Sequence, residues 1–125
     1  MCKLLENIYR SVNIGLINEL KIILKPMNLD INQVIKLAST KPFGFETFYP
    51  GPGVGGHCIP IDPYYLYWRA KQFNQKAKFV KLAGDINIET TQWVTKNIIK
   101  ILHKESPNIR RKKILILGLA YKKKH

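Results

Sequence analysis

The segment that most limits how this chain can fold lies near its middle. Between Pro50 and Gly56 four glycines and two prolines fall in seven residues. No helix or sheet ladder survives that density, because proline lacks a backbone donor and glycine loses the most backbone entropy on folding. The irregular stretch runs over residues 40–62 and divides the chain into two halves with helical spacing. Loops of this length in small domains are functional or disordered. This one is interleaved with Phe43, Phe45, Phe48 and Tyr49, which argues for an ordered loop, with Phe43 and Phe45 as packing anchors.

Before the loop, residues 3–25 read as one long amphipathic helix. Leu4, Ile8, Val12, Leu16, Leu20 and Leu24 recur every fourth position, and Leu5, Ile17 and Ile23 widen the stripe. Pro26 ends it. Asp30 is placed to cap a short second helix, with Gln33 at the capping-box position and Ile31, Val34, Ile35 and Ala38 as its buried face. After the loop, Asp62 and Pro63 read as N-cap and first helical residue of a helix reaching about Phe73. Residues 77–104 form a further helical stretch. Phe79, Leu82, Ala83 and Ile86 make its first face, and Trp93, Val94, Asn97, Ile98 and Ile101 its second. Gly84 and the pair Thr90–Thr91 weaken its middle, allowing a bend. The apolar run Ile114–Leu117, closed by Gly118, has the character of a buried parallel strand. The expected fold is mainly α with one terminal strand: residues 1–108 form a helical unit, and residues 109–125 open an incomplete α/β unit.

The chain has 125 residues, with 21 Lys+Arg against 8 Asp+Glu, a formal net charge of +13. The basic residues are spread along the chain, so a solvated surface explains most of them. Attraction to an anion is the functional alternative. No nucleic-acid module signature accompanies the charge, so no specific nucleic-acid partner is expected. The longest apolar stretch, Ile114–Ala120, is far short of the roughly 20 residues that span a bilayer, and no membrane association is expected. Glu6 interrupts any secretory signal core. Cys2 and Cys58 stand at unrelated positions, which suits a reducing, cytoplasmic setting.

Within the loop, Gly55 and Gly56 allow a ligand to approach the backbone beside Cys58. Cys58 itself precedes a helix start, where free amides and the helix dipole favour a thiolate, making it a candidate nucleophile. His57 is either a general base or an ordinary loop residue.

The run Phe48–Leu66, with GPGVGGHCIPID at residues 51–62, resembles the active-site loop of the UDP-sugar 6-dehydrogenases, in particular the bacterial UDP-N-acetylglucosamine branch. Lys41–Phe45 fits the same loop. Lys3–Ile14 and Asn18–Glu19 are similar to the long central helix of that family, and Lys113–Lys122 to the first strand of its C-terminal UDP-binding domain. The resemblance implies a helical central dimerisation domain lying between an NAD-binding and a UDP-binding domain. It also implies NAD as cofactor, a UDP-hexose as substrate and a homodimer. In the family, two hydride transfers to NAD convert the C6 alcohol to a carboxylate through a cysteine thiohemiacetal and thioester. Residue by residue, the resemblance gives Cys58 the nucleophile's role, Lys3 and Asn7 the C6 oxyanion, and Asp62 the positioning or activation of water. Gly53, Gly55 and Gly56 would face the sugar or its phosphates, and Phe48 or Tyr49 would shape the sugar pocket. The chain lacks the dinucleotide glycine fingerprint after a strand, so the expectation is an excised or truncated piece, inert alone. Competing expectations are a noncatalytic helical dimerisation module and, behind it, a basic nucleic-acid-binding protein.

Overall fold

The computed structural model describes residues 1–106 and 108–118. Helix α1 spans Cys2–Leu24, and a 3-10 turn over Lys25–Met27, with Pro26 inside it, ends it. Helix α2 spans Ile31–Ala38, α3 Asp62–Gln72 and α4 Lys78–Glu105. The fold is thus mainly α, as the periodicities predict, and no strand occurs among the described residues. None of these helices is long and apolar enough to cross a membrane.

Helices α1 and α4 pack against each other, but not through Leu5 and Leu16 of the leucine stripe. The buried face of α1 consists of Asn7, Ser11, Gly15, Ile17 and Asn18. Opposite it, α4 presents Ala83, Gly84, Asn87 and Thr90. Gly15 is what lets the backbones close: a Cβ there would meet Asn87 Nδ2 at 3.4 Å and the Ala83 carbonyl at 3.5 Å. Meanwhile Leu5 and Leu16 are 69% and 50% exposed, and Phe79 and Leu82 of α4 are exposed too. The expected faces are corrected at those positions, whereas Ile17 of α1 and Ala83 of α4 are buried as expected. Small and polar residues make the close seam because bulky ones would hold the axes apart.

The apolar cluster lies at the other end of α1. Ile17, Ile31 and Ile35 form it, with Leu20, Leu24 and Phe48 packed against them. Asp30 caps α2 by accepting the Asn32 N–H at 2.9 Å. Val34 is exposed rather than part of that helix's buried face. Helix α4 runs unbroken through Gly84 and Thr90–Thr91. Gly84 is there for space, since a Cβ would come within 2.7 Å of Tyr64 Cζ on α3.

The run Ile114–Leu117 is exposed and forms no strand. A lone apolar run has no neighbour to complete its ladder. Residues 119–125, the rest of the expected second unit, lie outside the described residues.

Candidate active site

Lys3 and Asn7 are one turn apart on α1 and so share a face. Asp62 reaches them from the start of α3. The Asn7 Nδ2 donates to Asp62 Oδ2 at 2.6 Å, and Lys3 Nζ lies 3.3 Å from the same oxygen. Asp62 is therefore not the N-cap of α3. It is the first helical residue, with Ile61 at the cap position, and its carboxylate is turned toward α1. The Asp62 carboxylate is well covered, at 15% exposure, whereas the Lys3 side chain is 71% exposed. Asp62, through its hydrogen bond and charge, holds the Lys3 ammonium above its usual pKa, and the neighbouring Cys58 adds to the effect.

Cys58 sits one turn ahead of Asp62. Its carbonyl accepts the Ile61 and Asp62 N–H groups at 3.1 and 2.8 Å, which winds the loop directly into α3. The half-buried thiol opens on a cleft of about 770 Å³ lined by Lys3, Glu6, Asn7, Arg10, Gly55, Gly56, His57, Cys58 and Ile59. Gly55 and Gly56 have open space where a Cβ would stand, and Gly56 has φ +91°. Backbone there is free to face a ligand. His57 is exposed beside them. Arg10 donates from Nη2 to Asn7 Oδ1.

A set of polar side chains holds this loop in place. Asn18 Oδ1 accepts the Gly51 N–H at 2.9 Å, while its Nδ2 donates to Asn87 Oδ1 at 3.1 Å. Asn87 Nδ2 in turn donates to the Ser11 and Ala83 carbonyls at 3.1 and 2.9 Å. Thr91 Oγ1 donates to the Pro52 carbonyl at 2.7 Å. Gly53, at φ +132°, lies against α4, where a Cβ would meet the Asn87 carbonyl at 3.0 Å. Sequence reasoning gave Asn87 and Thr91 no such role and met Asn18 only within a motif. Asn7, Ser11, Gly15 and Asn18 recur at helical spacing inside a leucine-rich helix, a signal that could have revealed the seam.

The remaining expected pocket residues are dispersed. Phe48 packs on the apolar cluster and meets the Tyr9 ring edge-on at 5.9 Å, away from the Cys58 cleft. Tyr49 is 68% exposed and lines a neighbouring cleft with Ile14, Gly53 and Gly55, the last of which also borders the Cys58 cleft. Phe43, expected to anchor the loop, is exposed. The loop is tied to α1 instead through Tyr9, whose hydroxyl donates to Glu46 at 2.6 Å.

The chain is also similar to known proteins. The chain is 38% identical over 120 residues to protein CapL of Staphylococcus aureus, and 36% identical over 120 residues to UDP-N-acetyl-D-glucosamine 6-dehydrogenase of Salmonella typhi. Each alignment covers 96% of this chain and 28% of the relative, so the chain spans little more than a quarter of their length. Among solved structures it is similar to a UDP-D-ManNAc dehydrogenase from Pyrococcus horikoshii. The TM-score is 0.75 at 35% identity, over 84% of this chain and 24% of that one. Residues 1–89 match the model of the UDP-glucose/GDP-mannose dehydrogenase family, central domain. The buried polar seam, the loop it carries and these matches lead to one conclusion: the chain belongs to the UDP-glucose/GDP-mannose dehydrogenase family and carries that family's central domain.

Proposed function

We propose that this chain supplies the covalent-catalysis residues of an NAD-dependent UDP-sugar 6-dehydrogenase acting on a UDP-hexose in the cytoplasm. The observation that carries the reading is that Lys3 and Asn7, which line the cleft holding Cys58, both meet the Asp62 carboxylate one turn beyond that cysteine. The nucleophile is the Cys58 thiolate, which adds to the C6 aldehyde carbon as the C=O π pair moves onto oxygen. The resulting oxyanion is met by the Lys3 ammonium and an Asn7 N–H, donors already placed before charge develops. At the thioester stage Asp62 takes a proton from water as it attacks the carbonyl carbon, and the C–S bond breaks to return the thiolate. Both donors meet Asp62 Oδ2 and hold its carboxylate beside Lys3 and Asn7. The oxidation of the C6 alcohol before the addition, and that of the thiohemiacetal after it and before the hydrolysis, would both belong to NAD. The described residues offer it no strand–glycine–helix turn, and we place its seat elsewhere in the whole enzyme. Gly55 and Gly56 give the sugar room at the thiol. Residues 109–125 are assigned to the opening of the UDP-binding unit, and the whole enzyme to a homodimer.

The test uses a chimera in which this chain replaces the matching segment of a full-length relative. It is expected to reduce NAD with a UDP-N-acetylhexosamine, followed at 340 nm, and Cys58→Ala is expected to abolish turnover. The 125-residue chain alone is expected to give none, since a hydride acceptor must sit about 3–3.5 Å from the reacting carbon. A folded chimera as active with Cys58→Ala as without it would overturn the reading.

A further inference from the structure

We propose that Arg10 is a positioning residue, whose guanidinium fixes the side-chain amide of Asn7 so that Nδ2, rather than Oδ1, faces Asp62. The two ends of an asparagine amide are nearly identical in shape, so packing alone does not choose between them. The partners do. Asn7 is buried at 2% exposure, with Nδ2 on Asp62 Oδ2 at 2.6 Å and Oδ1 receiving the Arg10 Nη2. Turned over, the amide would set an oxygen against a carboxylate and an NH2 against a guanidinium. A guanidinium has only donors to give, so it admits one orientation of Asn7.

Arg10 is committed to this task. Among the described residues it pairs with no carboxylate within 4.0 Å, although Glu6 stands one turn before it on the same cleft wall. Its place three residues after Asn7 puts it on the next turn of α1, within direct reach. The result is a line of contacts from Arg10 through Asn7 to Asp62 and Lys3. One Nδ2 proton is held by Asp62, and the other is left for an oxygen at C6. That last consequence rests on the function proposed above; the orientation of Asn7 does not.

The experiment follows the hydrogen exchange of the Asn7 side-chain amide by NMR in the 15N-labelled 125-residue chain, for Arg10→Met, Arg10→Gln and Arg10→Lys. Methionine keeps the stem and removes the donors, while glutamine returns a donor without charge. Arg10→Met is expected to speed exchange about tenfold, the scale of one hydrogen bond, and Arg10→Gln to recover most of the protection. Exchange unchanged in a folded Arg10→Met chain overturns the proposal. So does protection kept by lysine but lost with glutamine, because charge alone would then suffice. If Arg10→Met fails to fold, the glutamine and lysine variants decide by that same comparison. In the chimera, Arg10→Met is expected to lower kcat about tenfold at constant KM, with recovery by glutamine. A raised KM at unchanged kcat would make Arg10 a ligand contact and sink the assignment. An Asn7 amide that answers as expected in a chimera indifferent to Cys58→Ala would leave Arg10 in place and remove the proposed function alone.

Discussion

At the residue scale one lysine stands between a carboxylate and a thiol. Asp62 and Cys58 both favour the charged form of Lys3. Raised above its ordinary 10.5, Lys3 contributes its interaction fully below that value. The contribution is lost only as pH climbs through the raised one. The cation beside Cys58 is therefore constant over the neutral range. Iodoacetamide is expected to alkylate Cys58 faster than the exposed Cys2 at pH 7, and Lys3→Met to slow the Cys58 reaction several-fold. Peptide mass spectrometry over a time course checks both. Equal rates at the two cysteines, or a Lys3→Met chain that reacts like wild type, would remove the case for an activated thiol. The Lys3–Asp62 pair itself is exposed on the lysine side and adds little to folding.

At the scale of elements, the closest packing depends on missing side chains. Gly84→Ala should gain about 1 kcal/mol of helix propensity and lose about 1–3 kcal/mol by driving a methyl into the Tyr64 ring. The expected result is a net loss near 1 kcal/mol by urea denaturation, reversed when Tyr64→Leu is added. A stabilised Gly84→Ala chain would mean that Tyr64 swings aside freely. Asn18→Ala would strip partners from both Asn87 and the Gly51 N–H. At about 1–3 kcal/mol for each buried group left unsatisfied, the expected cost is about 2–6 kcal/mol. A loss under about 0.5 kcal/mol would show that the seam is easily rewetted. These elements also show what the sequence could and could not reveal. Proline at 26 and aspartate at 30 mark boundaries through local backbone chemistry, and α1 and α2 lie within a residue or two of those marks, while the Pro50–Gly56 run lies inside the helix-free stretch between Ala38 and Asp62. Lys3, Asn7, Cys58 and Asp62 were singled out through the family resemblance, with helix spacing adding only that Lys3 and Asn7 share a face. The α1–α4 seam was not, because leucine periodicity reports amphipathicity and says nothing about which stripe meets a neighbour in the same chain. Asp62 read as a cap because its long-range partners are 55 residues away. Phe48 and Tyr49, adjacent in sequence, face different surroundings, a distinction that composition does not carry.

At the scale of the molecule, the accessible surface is 10442 Å², whereas a compact monomer of 14.5 kDa exposes about 6,900 Å². The exposed arm with Ile114–Leu117 accounts for part of the difference, and the uncovered leucines of α1 for more. Such a surface is suited to burial against other chains or units. Sedimentation velocity at tens of micromolar is expected to show a dimer, and a strict monomer would count against the proposed homodimer. The α1–α4 seam carries one more consequence. Slide α1 by one turn, about 5.4 Å, and Asn87 would confront Ile14 or Ile22 in place of Asn18, while Lys3 and Asn7 would leave Asp62 by the same distance. A greasy contact tolerates creep; this one behaves as an indexing pin with a single stop. The tolerance of the Lys3–Asn7–Asp62 alignment is thus set far from the thiol, by the same asparagine that carries the loop.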